Sequence, residues 1–396
     1  MLALDDVRIL DLSRLLPGPF CTLLLADLGA DVIKVEDADG GDYLRWMPPL
    51  SGDYSALFHQ LNRNKRSVVL NLKNALGREA FLRMVEASDV VVESFRPGVM
   101  ERLGVGYETL RERNQRIVLC SITGYGQDGP YQQRAGHDLN YAALAGVLSI
   151  TGCASGDLGM PGIQAGDLGG GALGAAVAIL AALHERERTG EGRHCDVAML
   201  DGLVSWMGPE AARYFATGEV PRPGTVPLNG RHPCYRIYRC ADGHLSVGAL
   251  EPKFWRNFVD AIGLPHLRDD GLSDGEGAQR VVAEVEERLM TRTRVEWTAV
   301  LEGRDVCCEP VLTLDEVFAD PQVQHRGLRV ADGQGGPEAQ CGPPLRLIGE
   351  PFAVRRAAPG YGEHTRELLA ELAYDDDTFS SMVTEGATLI PDERSA

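Results

Sequence analysis

The first half of the chain alternates short apolar, β-branched runs with longer helical patterns, and this alternation constrains the fold more than any other feature. The helical patterns end at the Gly residues and turns that typically terminate helices. Strand–helix–strand repetition at this spacing predicts a parallel sheet with helices on both faces. The predicted strands cover 7–13, 31–36, 67–72, 89–95 and 116–126, where the last ends in a Gly-rich turn, and the predicted helices cover 16–30 and 74–88.

The sequence texture changes from about residue 155 to 200, and a linker further along predicts a second structural unit. Residues 166–190 begin Gly-rich and continue as an Ala/Leu helix, which indicates that another backbone packs close to it. The Pro/Gly-rich stretch 218–233 is typical of a linker. It leads into predicted strands and helices of an α+β domain, and a final helix with an acidic end follows near the C-terminus. These later strands cover 235–240 and 244–250, and the helical segments lie near 252–262, 278–303 and 362–377.

Composition excludes several classes of protein. The 396 residues include 39 Lys and Arg against 57 Asp and Glu, a net charge of −18, and only 6% aromatic residues, which argues against nucleic-acid binding. The longest apolar stretch, 172–183, has 12 residues, short of the roughly 20 that span a membrane, and the N-terminus predicts a strand rather than a signal peptide. Nine Cys without C-x-x-C spacing indicate reduced thiols and a cytoplasmic protein with neither disulfides nor a metal site.

Three polar residues stand out as candidates for catalysis. His137 follows a Gly/Pro turn at the start of a predicted helix, Asp167 lies at the start of the Gly/Ala helix, and Glu251 lies where a strand ends before Pro252. Each has a structural alternative: a hydrogen-bonded His, an N-cap Asp, and an acidic residue in a first helical turn.

The surroundings of Asp167 favour chemistry more than those of a simple cap. Gly169, Gly170 and Gly171 leave the first helical turn without side chains, so backbone N–H groups and the positive end of the dipole can face a cleft. A carboxylate beside such a terminus suits enolate or oxyanion chemistry. The alternative is that the glycines only permit close helix–helix contact.

Basic clusters are few in this acidic chain. Arg63, Lys65 and Arg66 lie together before a predicted strand, and Arg96 directly follows another. Strand ends of an α/β sheet are where ligands bind, so these residues are candidates for a phosphate-binding group; a solvated turn is the alternative. Neither a G-x-G-x-x-G sequence nor a P-loop sequence occurs, so nicotinamide and ATP binding lack support.

Several segments, in order, resemble the family III CoA-transferase superfamily over nearly the whole chain. They are LPGPFCTLLLADLGADVIKVE, LNRNKRSVVLNLK, VVVESFRPGVMERLGVGYETL, ITGYGQDGPY, EPVLTLDEVFADPQVQHRGL and GEHTRELLAELAYDDD. The resemblance implies a large Rossmann-like α/β domain built from both chain ends, a smaller α+β domain, and an interlocked homodimer. The expected boundaries are 1–215 for the first part of the large domain, 216–325 for the small domain with its linker, and 326–396 for the return to the large domain.

Two chemistries compete within the superfamily. The acyl-CoA transferase branch uses an aspartate nucleophile, which matches Asp167. The α-methylacyl-CoA racemase branch uses a His and an Asp as acid and base with a Glu near the His, which match His137, Asp167 and Glu251. Many transferases also carry a run of glycines in the small domain, where this chain has only Gly230. The sequence also departs at 37–38, Asp–Ala, where a basic residue or proline is common.

We therefore predict a racemase that interconverts (R)- and (S)-2-methylacyl-CoA thioesters. Inversion needs two groups on opposite faces of the α-carbon, and a neutral His and a carboxylate suit that task. The backbone N–H groups of Asp167 and its glycines are the expected donors to the enolate, Glu251 orients His137, and Arg96 and the 63–66 group contact CoA phosphates. No metal or redox cofactor is expected, because the thioester acidifies the α-carbon. The alternatives are a CoA-transferase with Asp167 as nucleophile and a CoA-binding protein without catalysis.

Overall fold

The computed structural model describes residues 2–152, 157–331, 337–349 and 352–390. The chain divides into a larger unit (Met1–Ala145, Ile163–Trp206 and Pro321–Ala396) and a smaller unit (Gly146–Gly162 and Met207–Asp320). The domain boundaries expected at 216 and 326 stay predictions.

Strands and helices alternate through the N-terminal half of the chain, and further strands lie in its C-terminal half. The strands are β1 (Arg8–Asp11), β2 (Asp31–Glu36), β3 (Leu50–Ser51), β4 (Tyr54–Ser55), β5 (Lys65–Val69), β6 (Val90–Glu93), β7 (Val118–Thr123), β8 (His194–Ala198), β9 (Tyr235–Cys240), β10 (Gly243–Gly248), β11 (Cys308–Pro310), β12 (Arg329–Val330) and β13 (Gln340–Cys341). The helices are α1 (Pro17–Asp27), α2 (Ala56–Asn62), α3 (Ala75–Glu86), α4 (Val99–Arg102), α5 (Tyr107–Arg113), α6 (Asp138–Leu144), α7 (Val147–Ile150), α8 (Gly174–Thr189), α9 (Met199–Trp206), α10 (Gly208–Thr217), α11 (Pro252–Ala261), α12 (Gly275–Leu289), α13 (Arg294–Leu301), α14 (Leu314–Ala319), α15 (Pro321–His325), α16 (Thr365–Glu371) and α17 (Asp376–Thr384).

The larger unit contains a six-stranded parallel sheet in the order β5-β2-β1-β6-β7-β8. This sheet confirms the predicted α/β class. The chain runs outward from β1 in one direction through β2 and β5, and in the other direction through β6, β7 and β8. The strand order therefore reverses between β1 and β6, and in open α/β sheets ligands bind in the crevice at the carboxyl ends of such strands.

The sheet separates two apolar cores. Successive residues of a strand point to opposite faces, so Ile9 packs in one core and Leu10 in the other. The core that contains Ile9 is completed by α1 and α8, and the opposite core includes Leu368 and Phe379 from the C-terminal helices α16 and α17. The C-terminal segment thus covers one face of a sheet built from the N-terminal half.

The smaller unit contains a three-stranded antiparallel sheet in the order β11-β10-β9. Trp255, Phe258 and Trp297, from α11 and α13, are buried against this sheet. The α+β class predicted for the second unit is therefore confirmed.

Several predicted element boundaries differ from the structure. Strand β5 begins at Lys65, two residues before the predicted start, because buried ion pairs replace water around its basic side chains. The helical segment predicted at 278–303 is two helices, since Thr293 begins α13 with a capping box. The acidic end of the predicted helix 362–377 instead starts α17, where the Asp375 carboxylate accepts the Thr378 N–H at 2.8 Å.

The Gly/Ala segment Gly166–Thr189 is helical throughout, with a π-helical first part at Gly166–Leu173. With 24 residues and a mean hydropathy of 1.6 in its most apolar window, it is long and apolar enough to cross a membrane. The uninterrupted apolar run 172–183 is shorter than this helix, because the helix also includes the glycines that precede the run. Of the most apolar stretch of this segment, 56% is buried inside the protein, as in a core helix. The segment packs against α1 and α9.

A buried charge pair joins the carboxyl end of β1 to the start of β5. Asp11, at the end of β1, accepts hydrogen bonds from Thr22 Oγ1 at 2.6 Å and Lys65 Nζ at 3.2 Å, and all three residues are fully buried. Burial by itself would raise the pKa of Asp11, but Lys65 and Lys34 hold it at about 2. The carboxylate is therefore charged in the folded protein.

We expect Asp11→Ala to lower the free energy of unfolding by about 3–5 kcal/mol, because it leaves Lys65 as an uncompensated charge in the core. Chemical denaturation followed by circular dichroism measures this change. The matched control is Glu187→Ala, which removes an exposed partner of Arg116 and should change the stability by less than about 1 kcal/mol. Similar effects of the two substitutions would contradict the prediction.

Candidate active site

A cleft of about 380 Å³ opens in the larger unit where the strand order reverses. It is lined by the loops that follow β1, β6 and β7 and by the start of α6, and both His137 and Asp167 lie in its wall. Arg96, predicted as a phosphate contact, lines the same cleft and is exposed. The sheet therefore brings three of the predicted residues together.

His137 is the residue that precedes helix α6. Its backbone N–H donates to Asn140 Oδ1 at 3.0 Å, and its carbonyl accepts the Asn140 N–H at 2.8 Å. The Tyr141 hydroxyl donates to the Gly136 carbonyl at 2.6 Å. These contacts fix the backbone on both sides of His137, and its exposed imidazole faces the cleft.

Asp167 is the second residue of the π-helical turn that precedes α8. Its side chain is partly buried, and burial is the largest cause that raises its pKa. The neighbouring carboxylate of Asp138 raises the pKa further while His137 lowers it, and the result is about 6. Asp167 can therefore act as a proton donor or as a charged carboxylate near neutral pH, which is the range that acid–base and nucleophilic catalysis require.

The backbone N–H of Asp167 does not face the cleft as a free donor. It donates to Asp138 Oδ1 at 3.0 Å, and the N–H of Gly166 donates to the same oxygen at 2.6 Å. The expectation that the Asp167 N–H stabilises an enolate is therefore wrong in this structure, because that hydrogen bond is already made.

Gly169 and Gly170 allow the π-helical turn to approach α9. A Cβ at Gly169 would overlap the ring of Trp206, and a Cβ at Gly170 would lie 2.7 Å from the Met199 carbonyl oxygen. Both glycines are buried. The structure therefore gives these residues the packing role that was the alternative, and their contact with CoA stays a prediction.

The three clustered basic residues are buried and paired within the larger unit. Arg63 donates to both carboxylate oxygens of Asp27, Lys65 to Asp11, and Arg66 to both carboxylate oxygens of Asp31. Arg66 also donates to Glu367 at 2.9 Å and Glu371 at 2.7 Å. Their cationic groups are thus committed to carboxylates, and the prediction that they bind CoA phosphates gains no support from these contacts.

Glu251 belongs to the smaller unit. It precedes α11, its side chain makes no capping hydrogen bond, and it is exposed. Burial raises the pKa of Cys307 in the same unit, and the negative charge of Glu251 raises it further. The role predicted for Glu251 in orienting His137 stays a prediction.

Sequence reasoning missed four side chains around the cleft. Arg14, Tyr125, Arg134 and Tyr141 line it, and the ring centroids of Tyr125 and Tyr141 lie 5.1 Å apart in an edge-to-face contact. A signal existed for Arg134 and Tyr141, which lie within four residues of His137. Nothing local singled out Arg14, whose position next to the end of β6 follows from the sheet order.

Arg14 contacts the position at which the sequence departs from the family pattern. Its guanidinium forms an ion pair with the Asp37 carboxylate, and its backbone N–H donates to Ser94 Oγ at 3.3 Å. Asp37 therefore places the guanidinium of a residue from the loop after β1 beside its own position.

The chain belongs to CoA-transferase family III, whose family model matches residues 4–365. It is 39% identical over 398 residues to a succinyl-CoA:mesaconate CoA-transferase of Haloarcula marismortui, covering 95% of this chain and 98% of that protein. It is 35% identical over 380 residues to a human α-methylacyl-CoA racemase, covering 94% of each. The structure of a CAIB/BAIF family protein from Brucella suis superimposes with a TM-score of 0.82 at 32% identity, covering 94% of this chain and 99% of that one. The resemblance found in the sequence is confirmed.

We expect Gly170→Ala to destabilise the larger unit by about 1–3 kcal/mol, because the added methyl group would force α9 away from the π-helical turn. Thermal unfolding followed by circular dichroism measures the change. Gly174→Ala is the matched control on the same helix, since its Cβ would lie at 3.5 Å from Val197, and alanine favours a helix over glycine. Equal destabilisation by both substitutions would contradict the packing role of Gly170.

Proposed function

We propose that the protein transfers CoA from an acyl-CoA donor to a carboxylate acceptor, with Asp167 as the nucleophile. The observation that carries the proposal is the partly buried Asp167 carboxylate in the wall of a cleft at the strand ends. The similarity to a succinyl-CoA:mesaconate CoA-transferase over almost the full chain supports transfer over racemisation. CoA transfer is therefore the function we propose first, although the sequence motifs favoured racemisation.

The proposed first step is attack of the Asp167 carboxylate on the thioester carbonyl. A C–O bond forms to the acyl carbon, the C–S bond breaks, and CoA leaves as a thiolate while the acyl group stays on Asp167 as a mixed anhydride. The partial burial that raises the pKa of Asp167 also removes water from the carboxylate, so less hydration is lost when it attacks. The reaction needs no metal or redox cofactor, because the thioester itself is the activated group.

Arg96 is the side chain we propose for contact with CoA phosphate. It lies in the loop that follows β6 and is exposed to the cleft, and it forms no ion pair with a carboxylate among the residues that the structure describes. A guanidinium in this setting can hold a phosphate by two parallel hydrogen bonds. CoA would thus lie along the strand ends of the larger unit.

A homodimer and a cytoplasmic location stay part of the proposal. Helix α10 has no buried residue within the described chain, and Phe215 on it is 80% exposed. Exposed aromatic side chains on an amphipathic helix are typical of a surface that another protein covers. This feature supports a second copy of the chain as partner.

Racemisation of 2-methylacyl-CoA is the second candidate, because His137 and Asp167 line the same cleft. In that reaction one residue removes the α-proton and the other returns a proton to the opposite face. The two candidates differ in their need for His137, since a transferase requires only the carboxylate.

We expect Asp167→Asn to lower CoA transfer on the order of 10⁴-fold, because the amide cannot act as the nucleophile. His137→Ala should retain transfer within about tenfold. The measurement is mass spectrometry of acyl-CoA products from succinyl-CoA with mesaconate or glutarate as acceptor. The control is Asp201→Asn, an exposed aspartate on α9 outside the cleft, which should leave the rate unchanged.

A second assay decides between the two candidates. Enzyme, (S)-2-methylacyl-CoA and heavy water are incubated together, and deuterium at the α-carbon is followed by NMR with chiral analysis. Transfer without exchange supports the transferase. Exchange that is lost in both Asp167→Asn and His137→Ala, with no CoA transfer in the wild type, would make the protein a racemase.

The pH dependence of transfer follows from the raised pKa of Asp167. Because only the carboxylate form attacks, kcat/KM should rise as the pH increases through about 6 and level off above it. Initial rates between pH 4.5 and 8 measure this profile. A profile that is already flat above pH 5 would show that Asp167 ionises normally and contradict the prediction.

A further inference from the structure

Asp138 connects the two halves of the candidate active site. It is the first residue of α6, directly after His137, and its Oδ1 accepts two hydrogen bonds from the start of the π-helical turn. The donors are the N–H groups of Gly166 and Asp167, at 2.6 and 3.0 Å. One carboxylate oxygen thus holds the backbone of Asp167 next to the helix that presents His137.

We propose that Asp138 is a positioning residue, which fixes Asp167 in the cleft and places a second negative charge beside its carboxylate. This inference rests on the proposed function only in that Asp167 is the group that reacts. Asp138 itself touches no reacting atom in this scheme, so it acts through Asp167.

The position of Asp138 Oδ1 explains how it fixes the backbone of Asp167. The first N–H groups of a helix have no partner within the helix, and a side-chain oxygen that lies near the terminus can accept from them. Gly166 is the donor at the shorter distance, and a Cβ on that residue would lie 2.9 Å from Asp138 Oδ1. The close approach of the two segments therefore depends on a glycine at 166 and a short acidic side chain at 138.

The charge of Asp138 also affects the ionisation of Asp167. Burial is the largest cause of the raised pKa of Asp167, repulsion from Asp138 adds to it, and His137 opposes it. Tyr141, one turn further along α6, has its own pKa raised to about 12, first by burial and then by Asp167. The other charged groups that line the cleft, Arg14, Arg96 and Arg134, come from loops, and the charged groups on the adjoining helices α1 and α9 are Asp27 and Asp201.

Two substitutions separate the hydrogen bond from the charge. Asp138→Asn keeps an acceptor oxygen and removes the negative charge, whereas Asp138→Ala removes both. We expect Asn to shift the acidic limb of the kcat/KM profile to lower pH by about one unit, with kcat above the limb within a few-fold of the wild type. Ala should show the same shift and also lose about 10²-fold in kcat, because Asp167 is no longer held in place.

The control is Asp375→Asn, another aspartate that accepts a backbone N–H at a helix start, in α17. It should change neither the pH profile nor kcat. If Asp138→Asn leaves the acidic limb where it is in the wild type, the charge of Asp138 does not act on Asp167 and the proposal fails. If Asp138→Ala keeps wild-type kcat while folded by circular dichroism, the hydrogen bonds do not position Asp167 and the proposal also fails.

A direct titration keeps this test independent of activity. The carboxyl carbon of Asp167, assigned in ¹³C NMR spectra by its loss in Asp167→Asn, should titrate at lower pH in Asp138→Asn than in the wild type. If the wild type transfers no CoA but this shift occurs, the proposed function fails and the role of Asp138 stands. If transfer occurs but the titration is unchanged, the role of Asp138 fails alone.

Discussion

Buried ion pairs that join the end of β1, the second half of β2 and the start of β5 to their surroundings are the constraint on which the rest of the larger unit depends. The Asp11 and Lys65 side chains pair with each other, Lys34 pairs with Asp42 at 2.9 Å, and Glu36 with Arg45 at 2.6 Å. Each charge loses its hydration in the core, so the partners must stay together for the fold to be stable. These contacts anchor the loops that follow β1 and β2, and Arg14 and Tyr43 on those loops line the cleft.

The cleft is thus a consequence of the sheet order and of polar anchoring together. Reversal of the strand order between β1 and β6 opens a crevice, and Arg14 crosses it by binding Asp37 from one side and Ser94 from the other. In another part of the cleft wall, Gly170 allows the π-helical turn to pack closely against α9. Asp167 therefore lies on a segment that is fixed by its packing against α9 and by the hydrogen bonds to Asp138 at its start. A reacting group needs such a rigid support.

The sequence could predict the parallel sheet from its periodicity, and the family resemblance could place His137 and Asp167 in one site, because period and motif are local properties. It could not predict what Arg63, Lys65 and Arg66 contact, since their partners Asp27, Asp11 and Asp31 lie 35 to 54 positions away and depend on the strand order. The same limit applies to the Asp167 N–H. The glycines predicted a helix start with free N–H groups, but Asp138, which accepts the Asp167 N–H, comes from another helix.

A single carboxylate with a pKa near 6 is compatible with both chemistries of the family, so the identity of Asp167 cannot by itself choose between them. What differs is the demand on its surroundings. A racemase needs His137 and Asp167 to exchange protons with opposite faces of one carbon, and also a donor for the enolate oxygen. Attack on a thioester also builds negative charge on the carbonyl oxygen, so both reactions need a donor there, and the Asp167 N–H already donates to Asp138. The two reactions therefore differ at His137, which proton exchange on the α-carbon requires and nucleophilic attack by Asp167 does not.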